Sequence, residues 1–128
     1  MKLSYILCLL SVFLFSCQKE SEKPKENLNI SAIWKFSMFI DANKDTITSA
    51  NPCWADNTFE IKNGGMATLS QGECIDTPLK PKDLTFEWRQ IGDNLIYFGG
   101  DTVKVTKLTD TEFHFERVTN YLKYHWKK

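Results

Sequence analysis

The side chains of this sequence that are best suited to chemistry are four cysteines and two histidines. The thiols stand at Cys8, Cys17, Cys53 and Cys74. Their spacing contains no Cys-x-x-Cys pair, and the histidines form no His-x-x-x-His pair, which are the spacings typical of zinc sites. We therefore predict no metal site and no cofactor. The thiols can instead accept a lipid or form a disulfide, and the choice depends on the cellular compartment.

No catalytic pattern surrounds the histidines or the acidic residues. His114 and His125 each lie between two aromatic residues, so in a strand both side chains point to the polar face. Asp41, Asn43 and Asp45 space their oxygens as a calcium loop begins, but the glycine and the distal glutamate of an EF-hand are missing. No Gly-x-Ser-x-Gly or His-Glu-x-x-His motif occurs. We predict no catalytic residues and a protein that is not an enzyme.

The first 16 residues are typical of an export signal. Lys2 supplies one positive charge, and a nearly unbroken apolar run extends from Leu3 to Phe15. A membrane-spanning helix needs about 20 apolar residues, whereas this run ends at Ser16 and is followed by a charged segment. We therefore predict that residues 1–16 are a signal peptide and are removed.

The residues Leu14, Phe15, Ser16 and Cys17 resemble the lipobox of bacterial lipoproteins, with a phenylalanine where that family prefers a small residue. In such proteins the cysteine thiol receives a diacylglycerol, the signal peptidase cuts just before the cysteine, and the new amino group is usually acylated too. The resemblance implies that Cys17 is lipidated and anchors the protein to the outer membrane, on the periplasmic or the surface-exposed face. One acyl chain binds a membrane marginally, while two or more make a stable anchor. The alternative is a secreted protein in which Cys17 is an ordinary thiol.

Two thiols remain after processing. Cys8 leaves with the signal peptide and Cys17 carries the lipid, which leaves Cys53 and Cys74. An exported chain with two remaining thiols usually joins them. A disulfide that closes a loop of this length contributes roughly 3 kcal/mol in the chain-entropy model.

The segment that follows the lipidated cysteine contains almost no hydrophobic residue, so it cannot bury enough surface to offset the entropy of ordering. We predict a flexible tether over residues 17–29. Loss of Lys2 leaves 15 basic against 16 acidic residues, a net charge of about −1. Basic and acidic residues alternate, so no basic patch for nucleic acid is expected. We predict a monomer whose partner is the membrane and not nucleic acid.

The remaining 99 or so residues, 30–128, are enough for one domain. Their apolar residues recur with a period of two, which predicts half-buried β-strands. Asn63-Gly64-Gly65 and Gly92-Asp93-Asn94 supply turn residues between them. About eight such strands form an antiparallel meander, and closure into a small up-and-down barrel removes both sheet edges. The predicted fold class is therefore all-β, with an open sandwich as the alternative.

The order of these features resembles the lipocalin-like domain of small bacterial lipoproteins. The matching segments are the sequence "CWADNTFEI" at 53–61, Cys74, "FEWRQIGDNLIYF" at 86–98 and "VKVTKLTDTEFHFE" at 103–116. The resemblance implies a β-barrel with a Cys53–Cys74 disulfide and a membrane tether. It does not identify a ligand, because fold does not fix function.

Six aromatic residues are candidates for lining a shallow ligand cavity, and the simpler alternative is that they fill the interior of a small barrel. They are Trp34, Phe36, Trp88, Phe113, Phe115 and Trp126. Our function hypothesis is a membrane-anchored module that binds a small hydrophobic ligand or an envelope component. The alternative is a non-catalytic inhibitor or accessory protein that acts through the loops Ser49–Asn57 and Gly72–Asp83. A third candidate, an enzyme of unknown type, would require a perturbed carboxylate or histidine in a cleft.

Overall fold

The computed structural model describes residues 27–72, 74 and 82–128. Within these ranges the chain forms β-strands and no helix, and it therefore contains no helix suited to crossing a membrane. The predicted signal peptide, 1–16, and the predicted lipidation site, Cys17, lie outside the described residues. The strands are β1 (Ala32–Ile40), β2 (Thr46–Thr48), β3 (Thr58–Ile61), β4 (Met66–Gln71), β5 (Lys82–Gln90), β6 (Leu95–Phe98), β7 (Asp101–Leu108), β8 (Glu112–Arg117) and β9 (Lys123–Lys127).

Eight of these strands close into an antiparallel barrel. From β3 to β9 each strand pairs with the next, β3 also pairs with β1, and β9 returns to pair with β1. The short strand β2 pairs with the second half of β1, beyond the point where β3 ends. The predictions of an all-β fold and of a small up-and-down barrel are confirmed. The alternative, an open sandwich, is wrong, because β1 and β9 pair with each other and close the sheet.

A β-bulge in β1 changes which side chains face the interior. Phe36 pairs with Trp126, but after a register shift Met38 pairs with His125 and Phe39 pairs with Tyr124. The uninterrupted alternation in the sequence would put Met38 inside with Phe36. The extra residue of the bulge reverses the alternation, so Phe39 packs on Tyr124 with ring centroids 5.0 Å apart.

A second bulge has the same effect in β7. Val105 pairs with Phe115, but beyond a register shift Lys107 pairs with His114 and Leu108 pairs with Phe113. Strict alternation from Val105 would send Lys107 into the barrel. The bulge keeps this charge outside and brings Leu108 against the core.

One end of the barrel, which we call the packed end, is filled by side chains. It carries the turns at 62–65, 91–94 and 109–111. The most deeply buried large side chains of the described residues are Trp34, Phe113, Ile30 and Ile96. Ile30 precedes β1, and the other three lie within the first three residues of strands that start at this end. The rings of Trp34 and Phe113 have centroids 5.4 Å apart. This end therefore has the close packing of an ordinary protein interior.

The chain that precedes β1 lies across the packed end. The indole Nε1–H of Trp34 donates to the backbone oxygen of Ile30 over 2.9 Å. The backbone N–H of Leu28 donates to Oε1 of Gln90 over 2.9 Å, and its side chain packs against the core. The contacts of the folded domain thus reach Leu28, which falls within the predicted tether.

The opposite end, which we call the loop end, carries the longer connections and the Cys53–Cys74 disulfide. The predicted disulfide is confirmed. Asn57 fixes the base of the bridged region, because its buried side-chain oxygen accepts a hydrogen bond from the Gly72 N–H and its backbone oxygen accepts one from the Phe36 N–H. A Cβ at Gly72 would lie 2.6 Å from Cβ of Asp56, so only glycine fits there.

Candidate functional site

The interior of the barrel contains a pocket of about 200 Å³ in the half nearer the loop end. The lining residues are Phe59, Leu69, Phe86, Phe98, Asp101, Val103, Phe115, Arg117, Tyr124 and Trp126.

Two of the six predicted cavity residues, Phe115 and Trp126, line this pocket. Phe36 lies next to it, with its ring centroid 5.7 Å from that of Trp126 and 4.9 Å from that of Trp54. The barrel therefore brings three of the predicted residues to one region.

The other three predicted cavity residues lie towards the packed end. Trp34 and Phe113 are fully buried against each other. Trp88 is half-buried, and its indole N–H donates to the backbone oxygen of Lys62 over 2.8 Å. The two halves of the interior therefore differ: side chains fill the packed end, and the half nearer the loop end contains the pocket.

The wall of the pocket is built around Phe59. Its ring centroid lies 5.2 Å from that of Phe98, 5.9 Å from that of Phe86 and 5.5 Å from that of Trp126. The interplanar angles range from 39° to 60°, so the rings present both edges and faces. Tilted and edge-on arrangements of this kind favour further aromatic contacts.

The turn between β6 and β7 makes room for this wall. Gly99 and Gly100 both have positive φ values, 53° and 106°, which glycine adopts without steric cost. A Cβ at Gly99 would lie 2.9 Å from Cβ of Phe86. Glycine at 99 therefore allows both the tight turn and the inward placement of the Phe86 ring.

One edge of the pocket is polar. Asp101, at the start of β7, pairs with Arg117, at the end of β8, through Nε of the guanidinium. The other carboxylate oxygen of Asp101 accepts the backbone N–H of Thr102 over 2.9 Å. The side chains of Asp101 and Arg117 are 23% and 35% exposed, which places the pair at the rim of the pocket.

Arg117 stays a cation at this rim. Burial by itself would lower its pKa, but the hydrogen bonds and charges of Asp101 and of the Tyr124 hydroxyl outweigh burial and raise it. The guanidinium has five N–H donors, and Asp101 accepts from Nε. This edge of the pocket therefore offers more hydrogen-bond donors than hydrogen-bond acceptors.

A further donor belongs to the same wall. The indole Nε1–H of Trp126 is buried and has no hydrogen-bond partner among the described residues. A buried donor without an acceptor costs about 1–3 kcal/mol. The pocket wall therefore has too few hydrogen-bond acceptors for its donors.

The two histidines meet on the outer face of the barrel. His114 and His125 are paired across β8 and β9, and their rings are stacked with centroids 3.9 Å apart and an interplanar angle of 4°. Glu112 approaches Nε2 of His114 at 3.5 Å and forms an ion pair with Lys107. The sequence places both histidines on the polar face, and only the strand register brings them together.

We expect the stacked pair to make the protein less stable in mild acid. Burial lowers the pKa of His114, with a partly opposing effect of Glu112, and burial together with the charge of His114 lowers the pKa of His125. The unfolded chain therefore takes up protons first as the pH falls below the ordinary value of 6.5. The urea midpoint should be constant above pH 7 and should fall between pH 7 and pH 5.

The double variant His114→Thr/His125→Thr is the comparison for this prediction, and it should flatten the pH profile. Glu112 does not contribute in this window, because its hydrogen bond to Lys107 lowers a pKa whose ordinary value is already 4.5. The other charges that face the pair are the ammonium groups of Lys107, Lys123 and Lys127. An equal acid sensitivity in both proteins would contradict the assignment to the histidines.

The described residues contain no group of three or more His, Cys, Asp or Glu side chains arranged to hold a metal ion. Asp41, considered above with a calcium loop, instead accepts the backbone N–H groups of Asn43 and Asp45 through Oδ1. These two hydrogen bonds close the turn between β1 and β2. Oδ1 of Asp41 therefore stabilises a turn.

No protein-family model matches the chain, and no curated protein matches it significantly. Among solved structures, the crystal structure of an uncharacterized protein from Bacteroides eggerthii is similar, with a TM-score of 0.53 over 77% of this chain and 98% of that chain. The two sequences are 12% identical. The likeness is therefore one of fold alone.

Proposed function

We propose that this protein is a membrane-anchored lipoprotein with a lipocalin-like barrel that binds a small hydrophobic ligand in the pocket at its loop end. It is a monomer, it is not an enzyme, and it does not bind nucleic acid. The observation that carries the proposal is the division of the barrel interior: side chains fill the packed end, while aromatic side chains at the loop end surround a volume of about 200 Å³.

The composition of the wall supports an apolar ligand. Phenylalanine rings and the side chains of Leu69 and Val103 make most of it, and Asp101 and Arg117 occupy one edge. Small-molecule sites commonly combine a mainly apolar concave surface with a few polar groups that fix orientation. Transfer of an apolar ligand from water to such a wall is favourable in proportion to the area buried.

The proposed location is the outer membrane, on its periplasmic or surface-exposed face, with the lipid on Cys17. The apolar leader, the lipobox-like residues 14–17 and the charged segment after them support this. The Cys53–Cys74 disulfide supports export independently, since disulfides persist mainly in oxidising compartments outside the cytoplasm.

The alternative is an inhibitor or accessory protein that binds an envelope protein through its loops. The disulfide and the packing of Trp54 favour it: the Trp54 ring is stacked on Phe39, with centroids 5.7 Å apart and an interplanar angle of 6°. The connection at 49–57 is thereby fixed to the barrel and could act as a preformed binding loop. This function would not depend on the volume of the pocket.

We expect toluene, a single apolar ring, to stabilise the full-length protein in lipid nanodiscs. A ligand at ten times its dissociation constant adds about 1.4 kcal/mol to the free energy of unfolding, or about 6 to 11 °C for a domain of this size. Leu69→Trp fills the pocket and should abolish the shift. Ile33→Trp adds the same ring to an exposed position on the outer face and should retain it. Intrinsic fluorescence during thermal unfolding measures the unfolding temperature of the unaltered protein and of both variants, with and without toluene.

The two variants separate the two functions. Equal toluene responses in Leu69→Trp and Ile33→Trp, or no response in the unaltered protein, would contradict ligand binding in the pocket. Far-UV circular dichroism controls for folding, and Val103→Phe, in the same wall, provides a second pocket-filling variant.

A further inference from the structure

The volume of the pocket limits the ligand. An apolar cavity of about 150 Å³ is known to hold benzene, whereas pockets for drug-sized ligands start at about 300 Å³. The 200 Å³ found here therefore fits one ring with a short substituent. A long acyl chain would have to leave most of its length outside the wall.

The shape of the wall selects a flat ring over a chain. Six of the ten lining residues are aromatic, and neighbouring rings lie 5.2 to 6.4 Å apart, as between Phe59 and Phe98 and between Phe59 and Phe115. An aromatic pair in such geometry is worth about 0.5–1.5 kcal/mol beyond its buried area. A ligand ring can make several of these contacts at once, and an alkyl chain can make none.

The polar edge selects the substituent. Both oxygens of Asp101 are already engaged, one by Arg117 and one by the backbone of Thr102. The outer nitrogens of the Arg117 guanidinium can donate further, and the Tyr124 hydroxyl beside it has a proton of its own. A group that only accepts hydrogen bonds, and that carries negative charge, matches this edge best.

We propose that the ligand class is a small aromatic carboxylate, with its ring among the phenylalanines around Phe59 and its carboxylate on Arg117 and Tyr124. This deepens the proposed function and rests on it. Arg117 is the residue that determines specificity, and Asp101 orients it through Nε. The bound carboxylate on the outer nitrogens of Arg117 would lie close to the negative charge of Asp101 and be repelled by it, so Asp101 also sets the affinity.

Phenylacetate is the probe, and phenylacetamide and decanoate are its two controls. Phenylacetamide keeps the ring and the length but is uncharged, while decanoate keeps the carboxylate and replaces the ring by a chain. Calorimetric titration of the full-length protein in nanodiscs should show phenylacetate binding more tightly than either control. Empty nanodiscs correct for partition of decanoate into lipid.

Two substitutions should move the affinity in opposite directions. Arg117→Met should weaken phenylacetate binding roughly tenfold or more, as expected for loss of a hydrogen bond to a charged group, and should leave phenylacetamide within about twofold. Asp101→Asn removes the competing charge and should tighten phenylacetate several-fold. If Arg117→Met does not fold, the test rests on Asp101→Asn. An affinity of Asp101→Asn for phenylacetate equal to that of the unaltered protein would overturn the proposal.

The controls keep this proposal separable from the function it rests on. Equal binding of phenylacetate and phenylacetamide would overturn the anionic substituent, and tighter binding of decanoate would overturn the ring. In both cases, a toluene-induced rise in unfolding temperature that is absent in Leu69→Trp would still support binding of an apolar ligand in the pocket. Absence of binding by phenylacetate and by toluene would overturn both proposals together.

Discussion

Replacement of Trp34 by alanine is expected to lower the free energy of unfolding by about 4 kcal/mol, as is typical for truncation of a buried aromatic side chain. Trp34 is 1% exposed, it packs on Phe113, and its indole N–H holds the Ile30 backbone across the packed end. The substitution therefore leaves a cavity and releases the segment that precedes β1. For a domain of this size the unfolding temperature should fall by about 15 to 30 °C.

Urea unfolding followed by far-UV circular dichroism measures this loss. The matched control is Ile33→Ala on the same strand, since Ile33 is 59% exposed on the outer face and its truncation should cost no more than about 0.5 kcal/mol. Trp34→Phe should fall between the two, because it keeps most of the buried ring and loses the hydrogen bond to Ile30. Equal losses for Trp34→Ala and Ile33→Ala would show that the packed end does not stabilise the barrel as described.

The sequence was sufficient for the fold because alternation and turn chemistry are local signals. The aromatic and aliphatic residues at every second position identify the strands, and Asn63-Gly64-Gly65 marks a tight turn at the place where β3 ends and β4 begins. Short turns between strands leave an antiparallel meander as the simplest arrangement. The two bulges could not be predicted in this way, since nothing in the residues around Ser37 or Thr106 distinguishes a bulge from continued alternation.

The pocket depends on information that is not local. Phe115 and Trp126 alternate like Trp34 and Phe113, yet the first two line the pocket and the last two fill the packed end. Phe113 pairs with Trp126 across β8 and β9, and Trp34 pairs with Phe59 across β1 and β3, so filled and pocket-lining positions lie directly opposite each other. Residue type and alternation therefore do not separate the two groups.

The pair formed by Asp101 and Arg117 was missed for a related reason. Both residues are charged and stand at strand ends, where solvent-exposed side chains are the usual expectation. The pairing of Phe98 with Asp101 and of Val103 with Arg117 turns both side chains to the inner face. Only the closed barrel makes them neighbours at the rim of one pocket.

The second large expected effect concerns the proposed lipid anchor at Cys17, a residue outside the described ranges. Cys17→Ser should abolish incorporation of labelled fatty acid and should move the protein from the membrane fraction to the soluble fraction. The reason is that the charged segment after residue 17 has no affinity for a bilayer of its own, whereas each buried methylene of an acyl chain contributes about 0.8 kcal/mol. Metabolic labelling with fatty acid, followed by fractionation, measures both effects.

Cys8→Ser is the matched control for this experiment, because Cys8 lies within the predicted signal peptide and would be removed with it. This variant should still be labelled and should remain in the membrane fraction, since the serine changes only the segment that is removed. Label that persists in Cys17→Ser would show that residues 14–17 are not a lipobox. Loss of label in both variants would point instead to failed export, and the Cys53–Cys74 bridge reports on this, because a chain retained in the reducing cytoplasm would keep both thiols free.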